Sequence, residues 1–176
     1  MKILTEVLSD YQEYHTKKIT QTTHLIGVPL IVFGIMMFFS WFSFNFNPYV
    51  SIPFMWVAIV IASIYYLRLD LGLGFMLSLI FILMGIIIFA IDKYSYTHLS
   101  GSVFLVTFVG GWIIQFIGHI FESRKPAFLD NILQVFAAPV FVLAETLVRL
   151  GYRSDLASII NKNKFTKETN GNNYNR

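Results

Sequence analysis

Long apolar stretches separated by short polar breaks dominate this chain. Four of them, 25–44, 52–67, 71–91 and 101–121, read as membrane-crossing helices, which need about 20 residues each. The second is short and draws on its flanks; the third carries no charge and only Ser78 as a polar side chain. Between the first two, FNFNPYVSIP holds Asn47, Pro48 and Pro53 and predicts a turn. Trp41, Tyr49, Tyr65, Tyr66, Tyr94 and Tyr96 fall near the predicted ends, where aromatic belts form. Ahead of the first stretch, Ile3, Leu4, Val7, Leu8 and Tyr11 recur at helical spacing and predict a short amphipathic segment. A fifth stretch, 132–150, contains Pro139 and Glu145. A charge at the bilayer centre costs about 2.5–3.5 kcal/mol. This element therefore either spans with Glu145 turned toward protein, or is broken, re-entrant or interfacial. The expected fold is all-α: a polytopic membrane helix bundle of four transmembrane helices, an N-terminal amphipathic segment, and a fifth broken or re-entrant helix. Residues 1–160 form one domain, and the polar, Asn-rich 161–176 is expected to be a disordered tail.

Composition supports the membrane reading. The chain is 56% apolar and 17% aromatic, and only 13% charged, against about 25% charged in soluble domains. With no cysteine, disulfides, thiolate metal sites and cysteine nucleophiles are excluded, and any metal must be held by nitrogen and oxygen. The net charge of +3 is small, and no basic, aromatic-interleaved stripe marks a nucleic-acid surface. The N-terminal segment lacks an apolar core and a small-residue cleavage site, so it is not read as a signal peptide. The composition is compatible with a homo-oligomer.

Charge distribution sets the expected topology. Lys2, Lys17 and Lys18 precede the first stretch, and Arg153, Lys162, Lys164, Lys167 and Arg176 follow the fifth. Positive segments prefer the cytoplasm, so both termini belong there and the number of crossings is even. His15, His24, His119 and Glu122 then share the cytoplasmic side. His98 starts the fourth span at the far side, roughly 30 Å away at about 1.5 Å per residue.

That convergence of imidazoles is the chief candidate for chemistry, since neutral histidine is the commonest metal ligand. Trp112, Gln115, His119 and Glu122 fall on one face of the fourth span, with Gly111 and Gly118 close by to permit tight helix approach. His119 and Glu122, three apart, can reach one metal; equally, His119 can serve only as an interface hydrogen-bonding group and Glu122 as a solvated charge. His15 and His24 are nine apart, about half a turn out of phase on a straight helix. They meet only if the chain bends, and Thr20, Thr22 and Thr23 are the candidate residues for that bend, two of them as helix caps. Arg124 and Lys17 are candidates for gripping a substrate carboxylate, Arg124 through two parallel bonds, although simple positive-inside anchoring also accounts for it. Glu145 is expected as a ligand or as a partner behind a histidine. Thr20 and Asn131 are placed in that supporting layer, and Lys125 and Asp130 in a charged loop. A small transporter or a non-catalytic membrane scaffold is the alternative. The second and third spans offer little beyond Ser63 and Ser78, which argues against ion-coupled transport.

Two blocks, YHTKKITQTTHLIGVPLI from Tyr14 to Ile31 and WIIQFIGHIFESRKPAFLDNILQVFAAPVFVLAE from Trp112 to Glu145, resemble the membrane-embedded 2-hydroxy fatty acid dioxygenases. These are iron(II) enzymes of fatty acid α-oxidation, first placed in phytosphingosine breakdown. The resemblance implies Fe2+ held by His15, His24 and His119. A second ion is implied only if Glu122 and Glu145 both coordinate. It further implies cleavage of a 2-hydroxy long-chain fatty acid by O2 to the one-carbon-shorter acid and carbon dioxide, with Gln115, Arg124 and Lys17 toward the substrate. The family usually has Asn midway between the first two histidines, where this chain has Thr20. The Asn-rich tail points to a bacterial inner membrane rather than the endoplasmic reticulum.

Overall fold

The computed structural model describes residues 3–15, 17–47, 49–122 and 134–160. These fold as helices α1 (Leu4–Gln12), α2 (Lys18–Ser40), α3 (Phe54–Leu69), α4 (Leu71–Asp92), α5 (His98–Glu122), α6 (Gln134–Arg149) and α7 (Ala157–Ile160), with a 3-10 turn at Ser154–Leu156. Strands β1 (Ser43–Asn47) and β2 (Val50–Pro53) form a small antiparallel hairpin. The predicted turn after the first span is therefore a strand pair, with Phe44 packed on Phe54 at 4.2 Å between ring centroids.

Among the described residues three helices, α2, α4 and α5, are long and apolar enough to cross a membrane, or four if α6 and the turns after it count as one bent span. The fourth expected span, α3, has 16 residues, about 24 Å at 1.5 Å per residue, short of the roughly 30 Å hydrocarbon thickness. It pairs with α4 as a helical hairpin turned at Asp70, whose carboxylate caps α4 by accepting the Leu73 N–H at 2.8 Å. Ile52 and Pro53, expected inside this span, belong to β2.

The pair α2 and α5 forms the structural spine. Their backbones approach closely because neither carries a side chain at the crossing: a Cβ on Gly111 would stand 3.0 Å from the Gly27 carbonyl oxygen, and one on Gly118 would collide with Thr23. Around this spine, most side chains on the outer faces of α4 and α5 are exposed apolar residues such as Leu83, Ile86, Val106 and Ile113, as lipid-facing helices require.

The helix α1 buries Leu4, Val7, Leu8 and Tyr11 against α6 and α7, the face that the spacing predicts. Ile3, expected on the same face, is exposed and serves as the N-cap, its N–H donating to Glu6 Oε2 at 3.2 Å.

The fifth stretch resolves as a helix lying across one end of the bundle. The Phe136 carbonyl accepts from Tyr66 Oη at 2.9 Å, near the end of α3. At its other end Arg149 reaches Gln21 near the start of α2 at 3.5 Å, and Arg153 pairs with Asp70 in the α3–α4 turn at 3.3 Å. Both ends of α6 are thus tied to the same end of the spanning helices. After Arg149 the chain bends by 111° into the final turns. Arg124, Lys125, Asp130, Asn131 and the tail 161–176 lie outside the described residues.

Candidate metal centre

Under the roof formed by α1 and α6, three imidazoles meet. His15 sits where the chain turns between α1 and α2, and the turn is closed by Tyr14 N–H and His15 N–H donating to the Tyr11 and Gln12 carbonyls at 3.2 and 3.1 Å. Its ring stacks on Tyr11, centroids 4.1 Å apart and 12° between planes. His15 Nδ1 lies 2.7 Å from the Tyr11 carbonyl oxygen, and His24 Nδ1 lies 2.7 Å from the Thr20 carbonyl oxygen, four residues back in α2. A carbonyl can only accept, so both Nδ1 atoms carry the proton and both Nε2 atoms carry lone pairs. Those two Nε2 atoms face each other at 3.0 Å.

Two lone pairs at that distance repel unless a proton or a cation lies between them. Burial pushes the His15 pKa down to about 4, against the lifting effect of the Tyr11 carbonyl; His119 lowers it further and Glu122 raises it. A bridging proton is therefore disfavoured at neutral pH, and a cation is the partner that the pair lacks. Two nitrogens each about 2.0–2.1 Å from one ion stand at most about 4.2 Å apart, so the observed spacing fits. His119, in the last turn of α5, completes the set: its ring centroid is 5.4 Å from that of His15 and 5.0 Å from that of His24. One ring nitrogen from each of the three lies within 4.8 Å of the others. All three rings are buried, and His119 Nδ1 has no hydrogen-bond partner among the described residues. Locking Nδ1 on a carbonyl while Nε2 points inward is the usual outer support of a metal-ligating histidine. An all-imidazole donor set suits zinc, copper, iron or nickel.

The remaining expected residues fall into separate roles. Glu122 Oε2 accepts from Thr20 Oγ1 at 2.7 Å and from Lys17 N–H at 3.0 Å, so this carboxylate ties the end of α5 to the start of α2. Lys17 Nζ donates to the Phe121 carbonyl at 2.6 Å, placing its charge at the C-terminus of α5, where the helix dipole favours it. Glu145 pairs with Arg149 on its own helix at 2.7 Å. The threonines do not make the bend that joins His15 to His24. Helix α2 begins at Lys18 with Lys17 as N-cap, and Thr22 and Thr23 bond back to the carbonyls of Lys18 and Thr20. The chain turns earlier, at Glu13 and Tyr14. His98 sits at the opposite end of α5, its ring 6.3 Å from that of Tyr96.

An apolar cleft leads from the histidines along the bundle. Its α2 wall is His24, Val28, Ile31, Val32 and Ile35, one helical face with a rise of about 16 Å. Trp112, Gln115 and Phe116 of α5 and Gln134, Val135, Ala138 and Pro139 of α6 line the rest, and Gln134 Oε1 is buried there without a partner among the described residues. Sequence reasoning missed the role of Tyr11. It supplies the carbonyl that orients His15 and the ring that covers it, and burial, with the Glu145 carboxylate nearby, raises its phenol pKa so that it stays protonated. Its position four residues before His15 was the available signal.

Comparison with known proteins agrees with this geometry. Residues 1–150 match the family described as 2-hydroxy-palmitic acid dioxygenase Mpo1-like. The chain is 32% identical over 165 residues to the 2-hydroxy-palmitic acid dioxygenase MPO1 of Saccharomyces cerevisiae, covering 93% of this chain and 90% of the yeast protein. No solved structure matches. A chain with this much shared length, three convergent histidines and a lipid-facing bundle belongs to the Mpo1-like 2-hydroxy-palmitic acid dioxygenase family.

Proposed function

We propose that this protein is a membrane-embedded iron(II) dioxygenase that shortens 2-hydroxy fatty acids by one carbon. The observation that carries the reading is the pair of inward lone pairs on His15 and His24, 3.0 Å apart and joined by buried His119. The overall change balances without another reductant: R–CH(OH)–COOH + O2 gives R–COOH + CO2 + H2O. The C1–C2 bond breaks, carbon gives up four electrons, and dioxygen takes them. His15, His24 and His119 would hold the iron, which would supply oxygen activation beside the C1–C2 bond.

The chain's own residues do the rest. The α2 wall from Val28 to Ile35 takes the acyl chain, so the substrate need not leave an apolar medium to react. The roof of α1 and α6 keeps bulk water from the histidines. Tyr11 holds the His15 ring through its carbonyl and its stacked face. Thr20 takes the place of the family's usual Asn, fixing the Glu122 carboxylate through its hydroxyl and His24 through its carbonyl. Arg124, two residues beyond Glu122 in sequence, is assigned to the substrate carboxylate. The positive-inside distribution supports a cytoplasmic location for this end of the bundle and both termini, and the Asn-rich tail supports a bacterial inner membrane.

The test is anaerobic loading of the detergent-purified protein with iron(II), followed by 2-hydroxypalmitate and oxygen. Pentadecanoate and carbon dioxide in equal amounts are expected. An iron-loaded protein that gives no shortened product from any 2-hydroxy acid, whatever its chain length, would overturn the assignment.

A further inference from the structure

The α5 side of the cleft carries a polar side chain with no hydrogen-bond partner among the described residues. Gln115 is 7% exposed, lines the cleft, and makes no hydrogen bond to any described residue. A carboxamide that lines a cleft without a protein partner is completed by whatever enters the cleft. Its placement is enforced: the Gly27 position on α2, left without a Cβ, would otherwise put a carbon 3.0 Å from Gln115 Cγ. The side chain thus lies in the narrow gap where the two helices cross.

Position along α5 says which atom it meets. Gln115 stands one turn, about 6 Å, from His119 on the side away from the helix end. The apolar wall of Val28, Ile31 and Ile35 lies farther along in the same direction. An acid with its carboxylate at the histidines and its chain along that wall brings C2 past Gln115 immediately after C1. A carboxamide both donates and accepts, as a hydroxyl does. We propose that Gln115 is the residue that reads the 2-hydroxyl group, selecting 2-hydroxy acids over unsubstituted and 3-hydroxy acids of the same length. This rests on the proposed function above and names how that site chooses its substrate. Sites built to bond a hydroxyl discriminate strongly against analogues lacking it, because their own polar groups are then left unpaired.

The experiment measures binding to the iron-loaded, detergent-purified protein without oxygen, following the fluorescence of Trp112 in the same cleft, with 2-hydroxypalmitate, 3-hydroxypalmitate and palmitate as probes. The wild type should prefer 2-hydroxypalmitate by about ten-fold or more, the worth of one good hydrogen bond. In Gln115→Met, which keeps length and helix propensity, that preference should fall toward one while palmitate affinity and iron content stay unchanged. Gln115→Asn, one methylene shorter, should give an intermediate ratio and decides the matter if the Met variant loses iron or helical structure. The proposal is overturned if the wild type shows no preference, if both variants keep the wild-type ratio, or if all three acids weaken together. A wild type that binds no 2-hydroxy acid defeats the functional reading itself, a result distinct from an unchanged ratio in working protein.

Discussion

The two ends of this bundle both bury polar groups, yet they bury them in opposite ways. At the end away from the three histidines, donors and acceptors are matched. Ser40 Oγ lies 2.5 Å from Asp92 Oδ2, Tyr94 N–H donates to Asp92 Oδ1 at 2.8 Å, and Trp56 Nε1–H donates to Tyr94 Oη at 2.8 Å. Thr97 and Ser100 cap each other reciprocally at the start of α5. Trp41 Nε1 alone is left over there. At the histidine end, two Nε2 lone pairs face each other, and among the described residues His119 Nδ1 and the cleft-lining Gln134 Oε1 have no partner. Matched groups hold helix ends in place and ask for nothing more; unmatched groups, held rigidly by other bonds, are the ones awaiting a ligand. The fourth histidine, His98, belongs to the matched end.

The largest expected effect breaks the comparison at its centre. His119→Ala should reduce retained iron to below about a tenth of wild type and abolish product, because an outer-layer change alone costs about 10–100-fold and this removes a ligand. His98→Ala should leave metal content and turnover unchanged. Elemental analysis of the two purified variants side by side decides it; equal losses would mean that the ends are not distinct. One step smaller is Thr20→Val, which removes the hydroxyl from Glu122 while keeping the carbonyl under His24. A drop of about 10-fold in iron affinity, with stability little changed, is expected. Iron titration of Thr20→Val against wild type reads it.

Much of the histidine end was legible from sequence because hydropathy alone marks the long helices. Stretches 71–91 and 101–121 correspond to Leu71–Asp92 and His98–Glu122, and the length of that last helix alone separates His98 from His119. The stretch 25–44 begins seven residues earlier, at Lys18: apart from Ile19, Lys18 to His24 are polar and carry no apolar run, yet they form the polar end of the helix. What remained hidden depends on long-range contacts. The Lys17 amide at the head of α2 is taken by Glu122, 105 residues away, so no local capping residue marks the true start and the threonines looked like caps. The hairpin was missed because its strands are mostly exposed and have no core face to impose an alternating pattern. The role of Thr20 was hidden for the same reason, since its hydroxyl meets Glu122, 102 residues away.

The matched end gives the next test in size. Asp92→Ala leaves the Ser40 hydroxyl only the Met37 carbonyl and strips the Tyr94 amide of its acceptor, and an unpaired group of this kind costs about 1–3 kcal/mol. The unfolding transition of the detergent-solubilised protein should move to lower temperature while the iron content per folded chain is unchanged. Iron loss out of proportion to unfolding would show that the far end also shapes the site.

The smallest expected effect asks whether location or matching makes the difference, by using a matched cluster at the histidine end itself. Asp70 caps α4 through the Leu73 amide and meets Arg153, which also holds Asp155. Partial burial raises the Asp70 pKa, but the amide and the guanidinium together outweigh it and hold the carboxyl below its ordinary range. A carboxyl depressed in the folded state adds stability that is fully present above its unfolded pKa, near 4, and is lost as pH falls through the lower folded value. Wild-type stability should therefore decline below about pH 4 partly through this group, and Asp70→Asn should flatten that part of the decline while lowering stability at pH 7 by about 0.5–1 kcal/mol. The pair is partly solvated, which keeps the figure small. Unfolding curves at pH 3 and pH 7 for wild type and Asp70→Asn measure it. Iron binding at pH 7 should be the same in both proteins, since a satisfied ion pair beside the site contributes to the frame and not to the metal. If Asp70→Asn loosens iron as Thr20→Val does, then nearness to the histidines matters more than whether a group already has its partners.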